Sequence, residues 1–157
     1  MDDPIRMDDF PSWLLGQASA HAYRLVSERL GTLGARGYHF RLLVTLAGHG
    51  PASQATLSRI TGIHVSDIVA ALNELAEGGH VQRTPDPDDR RRNVVTITPA
   101  GRRHLSRLNR ELLRAQEELL TPLAPAERDQ LMSLLRKVLE HQRDSPPGPQ
   151  ARHMDDM

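Results

Sequence analysis

Cysteine is absent from this 157-residue chain, which removes disulfides, thiol redox sensing, cysteine nucleophiles and thiolate metal sites together. Net charge is lacking too, since 20 basic residues balance 20 acidic ones. That balance does not exclude nucleic-acid binding, because the distribution of charge decides it. Lysine is all but missing, Lys137 being the only one. No uncharged apolar run of about 18 residues occurs, so no membrane span is expected. The acidic start MDDPIRMDD is unlike a secretory signal, and a cytoplasmic location is the resulting expectation. There is no nucleophile elbow, phosphate loop or pair of metal ligands on one helix face, and the eight histidines are scattered without an H-x-x-x-H pair. Neither enzyme activity nor a metal or cofactor is expected.

Helical periodicity is what the chain does have. Leu14, Ala18, Ala22, Val26, Leu30 and Leu33 recur near the helical period from Ser12 onward, after a Pro11-Ser12 start. Gly31, Gly34 and Gly37 interrupt it, and YHFRLLVTLAGHG reads as a second, more buried helix ending at Gly48 or Gly50. Ser53 suits the cap of a short helix QATLSRI with Leu57 and Ile60 facing inward. The connection TGI leads into HVSDIVAALNELAEGG, where Ile68, Ala71, Leu72 and Leu75 share one face and Gly78-Gly79 supplies the stop. Two short helices joined by a glycine-containing turn signal a helix-turn-helix.

The β-branched segments HVQRT and NVVTIT then read as a hairpin, with the acidic, arginine-rich stretch DPDDRRR between them as a wing. From Arg83 to Arg110 eight arginines face three aspartates, a local excess of five positive charges. A long helix follows Pro99, marked by Leu105, Leu108, Leu112, Ala115 and Leu119. After the break TPLAP a last helix carries Leu131, Leu134, Leu135 and Val138. The expected architecture is mainly α with a small β-wing: a winged helix-turn-helix lobe over 36–98, flanked by dimerisation helices at 12–33 and 99–143. Residues 1–11 are expected to be a flexible N-terminus and 144–157 a disordered tail.

This arrangement resembles the MarR family of winged-helix transcriptional regulators across roughly Ser12 to His141. The most specific part is Asp89-x-Arg91 followed by Ile97-Thr98-Pro99-Ala100-Gly101, similar to the family's D-x-R and L-T-x-x-G signature; LAEGGHVQR, Leu75 to Arg83, is similar to its usual exit from the recognition helix. The resemblance implies that Arg91 enters a minor groove and that Asp89 holds it by an ion pair. A narrow A·T-rich groove concentrates negative potential and rewards such a guanidinium without a base-specific bond. Arg90 and Arg92 would lie on phosphates, as would Ser53 and Gln54 at a helix start where free N–H groups gather.

On the second helix of the motif, Ser66, Val69, Ala70 and Asn73 form the outward face, with His64 and Asp67 near its start. Asn73 suits an adenine edge, and Val69 or Ala70 a thymine methyl. His64 reads as a cap or phosphate contact, and Asp67 as a partner of the helix dipole. No arginine or lysine occurs from His64 to Val81, which argues against strong guanine readout and shifts the load to the wing and to DNA shape.

The first and the last two helices carry apolar stripes that one small lobe cannot bury, so a homodimer is expected, reading a roughly palindromic double-stranded operator. The resemblance further implies a repressor released by a small phenolic or lipophilic effector, with Trp13, His21, Tyr38 and His39 as candidate lining. The missing cysteine argues against peroxide sensing, and Arg41, at a position where urate-responsive relatives carry an acid, argues against that subclass. A winged helix that binds another protein, or DNA without sequence preference, is the competing reading.

Overall fold

The structure, a computed structural model, describes residues 5–144. Pro11 opens the first long helix, α1 (Pro11–Gly31), at the position where a missing N–H costs nothing; a 3-10 turn over Met7–Asp9 precedes it. There follow α2 (Gly37–His49), α3 (Gln54–Thr61), α4 (Val65–Glu77), β1 (Val81–Pro85), β2 (Asn93–Ile97), α5 (Pro99–Leu119) and α6 (Pro125–Asp144). The strands pair antiparallel in the register Val81 to Ile97 and Pro85 to Asn93. Ala52 extends this ribbon by exchanging both backbone hydrogen bonds with Val95, at 2.8 and 3.1 Å. No helix among the described residues is long and apolar enough to cross a membrane. The expected disordered tail falls almost wholly on residues outside the described range.

The chain divides into two compact units after Leu119. In the first, the core gathers Leu42, Leu43 and Leu46 of α2, Leu57 of α3, Ile68, Leu72 and Leu75 of α4, and Val95 of β2. Leu30 from the end of α1 and Leu108 from the middle of α5 close it, so the long helices supply part of the lobe's own interior. The start of α1 is different: Trp13, Leu14 and Leu15, with Phe10 just before the helix, are exposed. In the second unit α6 starts with Glu127 reaching back to accept from the Ala124 N–H at 2.8 Å, one half of a capping box. Its Leu134, Val138 and Leu139 are exposed, each more than half.

Ile60 does not face inward as its spacing from Leu57 suggests; it is 44% exposed. The buried stripe of α3 runs through Leu57 and the half-buried Thr61, four residues on. Gly62 then takes a φ of +70°, which a side chain rarely adopts, and the turn drops Ile63 into the core in place of Ile60.

One junction joins the exit of α4, the wing and the start of α5. Thr98 Oγ1 donates to the Gly79 carbonyl at 2.6 Å and accepts from the Gly101 N–H at 3.0 Å, while the Thr98 N–H donates to the His80 carbonyl at 3.0 Å. Gly101 lies so close to that carbonyl that a Cβ would sit 2.0 Å from its oxygen. This is the physical content of the T-x-x-G pattern: a threonine caps the helix and a glycine admits a backbone. Beside it the rings of His80 and His104 stack in parallel, 4.1 Å apart, and His104 Nδ1 lies 3.3 Å from an Arg107 guanidinium nitrogen, so it accepts there. Burial first, then the His80 ring and Arg107, push His104 down to about 4. Burial and Arg107 lower His80 as well.

Two outcomes follow for stability. Alanine normally stabilises a helix relative to glycine, but Gly101→Ala should cost about 1–3 kcal/mol through overpacking; a melting temperature equal to or above wild type would show that the junction gives way. Because the folded chain keeps His104 neutral, the unfolded chain binds the proton first. Stability should therefore hold above about pH 6.5 and decline toward about pH 4. Melting curves across that window should be shallower for His104→Gln than for wild type, and equal slopes would remove His104 as the source.

Candidate nucleic-acid interface

The short α3, the Gly62 turn and α4 form the helix-turn-helix. Ser53 caps α3, its Oγ accepting from the Thr56 N–H at 3.1 Å, and His64 caps α4, its Nδ1 accepting from the Ser66 N–H at 3.3 Å. With Ile68, Ala71, Leu72 and Leu75 buried, the opposite face of α4 is left exposed, and it holds Ser66, Asp67, Val69, Ala70 and Asn73. The structure thus brings these five onto one surface, with His64 at its N-terminal edge.

The back of α4 is fixed by a charged group that sequence reading does not reveal. Glu74 pairs with the Arg36 guanidinium and lies 2.8 Å from His39 Nε2. His39 Nδ1 accepts from the Arg36 N–H at 3.2 Å, so the proton of the neutral ring is on Nε2, facing the carboxylate. Burial lowers the His39 pKa against the opposing pull of Glu74. Burial pushes Glu74 up, but Arg36 and His39 together hold it below its ordinary value.

In the wing, Asp89 behaves differently from the expectation. Its Oδ1 accepts from the Arg91 backbone N–H at 3.1 Å, and its ion pair runs to Arg92, with Nε 3.6 Å from Oδ2. The reason is local geometry: an Asx turn ties the carboxylate to the backbone two residues on and brings the third side chain back over it. Asp86 adds a second such turn to Asp88 N–H at 2.9 Å and donates its own N–H to the Arg92 carbonyl at 2.8 Å. The acidic residues therefore shape the loop, and Arg90, Arg91 and Arg92 are all exposed on it. Arg92 and Asn93 also meet Ser53, Gln54 and Ala55 around an open cleft of about 440 Å³, which joins the start of α3 to the base of the wing.

The four candidate effector residues have different surroundings. Trp13 is 37% exposed, His21 Nδ1 lies 2.8 Å from the Arg24 guanidinium, and the Arg41 guanidinium sits 6.0 Å from the centre of the Tyr38 ring. His39 is turned into the lobe toward Glu74. An open, mainly apolar cleft of about 280 Å³ lies between α2 and α5, lined by none of these four residues but by Phe40, Val44, Ala47, Leu105, Ser106 and Asn109. Helical spacing within each helix could have grouped these residues, but which helices face each other is a tertiary fact. Among the described residues no three His, Cys, Asp or Glu side chains are grouped to hold a metal.

The sequence pattern of the MarR family matches residues 31–92, from the end of α1 through the wing tip. The HTH-type transcriptional repressor NicR of Pseudomonas putida is 33% identical over 101 residues, 64% of this chain and 64% of its own length; the chain thus spans a little under two thirds of that relative. A probable transcriptional regulator from Pseudomonas aeruginosa, known as a crystal structure, is 32% identical, with a TM-score of 0.72 over 85% of this chain and 99% of its own. A mutant MarR from E. coli, complexed with operator DNA, is 23% identical with a TM-score of 0.69 over 87% of this chain and 99% of its own, a likeness of fold. The chain belongs to the MarR family of transcriptional regulators.

Proposed function

We propose that the protein is a cytoplasmic, sequence-specific DNA-binding regulator that acts as a homodimeric repressor and is released by a small phenolic or lipophilic compound. The observation that carries this reading is a helix-turn-helix whose second helix, α4, leaves its outer face exposed, followed by a wing with three exposed arginines, one of which, Arg92, shares an open cleft with the start of α3. A helix of this kind fits a major groove. A wing arginine fits the adjacent minor groove, and the start of α3 is suited to the phosphates between. Arg91 is the residue for the groove: its backbone is tied down by Asp89 while its side chain is exposed. Relatives named as transcriptional repressors or seen with operator DNA support the assignment.

The dimer is supported by apolar side chains that α1 and α6 each leave exposed, Trp13, Leu14 and Leu15 on one and Leu134, Val138 and Leu139 on the other. Covering them with a second copy removes them from water and gives two recognition helices for two half-sites. The effector is supported by the open, mainly apolar cleft of about 280 Å³ between α2 and α5, close to the lower end of the roughly 300–1,000 Å³ range of small-molecule clefts. A compound there weakens DNA binding only if it prefers a conformation whose recognition helices are wrongly spaced.

Two measurements test the proposal. Arg91→Ala should weaken binding to the preferred duplex by about 1–3 kcal/mol while sedimentation still shows a dimer; undiminished affinity would remove the wing from the interface. The double variant Leu134→Glu, Val138→Glu should sediment as a folded monomer and lose most of its affinity for a palindromic duplex. A dimer persisting in that variant would place the interface away from α6.

A further inference from the structure

Asn73 is not a free amide. The Arg83 guanidinium, reaching from β1 back to α4, donates to Asn73 Oδ1 at 2.8 Å. Arg83 alternates on its strand with the exposed Gln82 and Thr84 and shares the inward side with the buried Val81, so its stem is half-buried while its head meets the outer face of α4. Its Nε is buried and without a hydrogen-bond partner among the described residues. Arginine has only donors, so the amide must turn its oxygen toward Arg83 and its NH2 outward. The orientation of Asn73 is set by chemistry and not by a choice between two similar atoms.

We infer that Arg83 is a specificity-determining residue: it supplies the cation that α4 itself lacks and makes the Asn73–Arg83 pair a reader of an acceptor-only base edge, that of guanine. This rests on the DNA-binding reading above. A lone asparagine suits adenine because Oδ1 accepts from the base's N6 amino group while Nδ2 donates to N7. Here one lone pair of Oδ1 is taken, and a positive, donor-only guanidinium stands beside it. An adenine amino group brought to Oδ1 meets that charge, whereas guanine O6 and N7 accept from Nδ2 and the guanidinium together. The absence of basic residues from His64 to Val81 therefore does not deprive the recognition surface of guanine readout. The cation arrives from the strand that follows.

The test takes the duplex that the full-length wild-type protein selects from random DNA, then measures affinity for all single base replacements with wild type, Asn73→Ala, Arg83→Met and Arg83→Lys, each checked for an unchanged fold by melting. Wild type should favour guanine over adenine at one position per half-site by on the order of tenfold, and Asn73→Ala should flatten that position alone. Arg83→Met, which frees Oδ1 and removes the donor, should shift the same position toward adenine; Arg83→Lys should keep guanine. A purely structural Arg83 would lower affinity evenly and leave the base preference unmoved, and that result overturns the inference while leaving the regulator intact. So does a wild-type preference for adenine that Asn73→Ala abolishes. A wild type that enriches no sequence overturns both readings.

Discussion

The exit of α4, the wing and the start of α5 are tied to one another where the Gly101 backbone meets the His80 carbonyl. At that point the exit of α4, the closing strand of the wing and the first turn of α5 share one set of hydrogen bonds centred on Thr98. The absence of a side chain at residue 101 is what lets the backbones approach. The stacked His80 and His104 rings cover the junction from the side, and they do so as neutral groups because burial disfavours their charge. A recognition helix, a wing and a long helix that would otherwise be three separately hinged elements are thus held to one geometry.

The electrostatics are organised around the same surface. A chain with no net charge separates its charges by role: Asp86 and Asp89 are engaged by backbone turns and by Arg92, and Glu74 is engaged by Arg36 and His39 behind α4. Cations are left on the outer surface, on the wing and, through Arg83, against α4. Long-range attraction to a polyanion depends on that local pattern and is screened by salt.

Much of this was legible in the sequence wherever one element's own periodicity or turn chemistry decided the outcome. The four buried positions of α4, the Gly78-Gly79 stop, the Ser53 cap and the hairpin were readable because each rests on residues within a turn or two of one another. The family resemblance made the wing readable as a functional loop. What was not legible depends on which elements meet. Ile60 stands outside because a left-handed turn one residue beyond α3 hands its place to Ile63. His104 is buried although histidine reads as polar, because a second histidine from another element stacks on it. The partner of Asp89 could not be chosen among three adjacent arginines without the loop's path. Asn73 and Arg83 lie ten residues apart on a helix and a strand, so neither periodicity joins them, and the open cleft between α2 and α5 exists only once those helices are packed.

The central claim, a dimer that reads a particular DNA sequence, is tested most directly by selecting bound duplexes from a random pool with the full-length protein at two salt concentrations. The account predicts an enriched, roughly palindromic site with half-sites about 10 base pairs apart, and binding that weakens as salt rises. Retention of DNA that falls with salt but enriches no sequence would contradict it and would assign the same surface to a sequence-blind role.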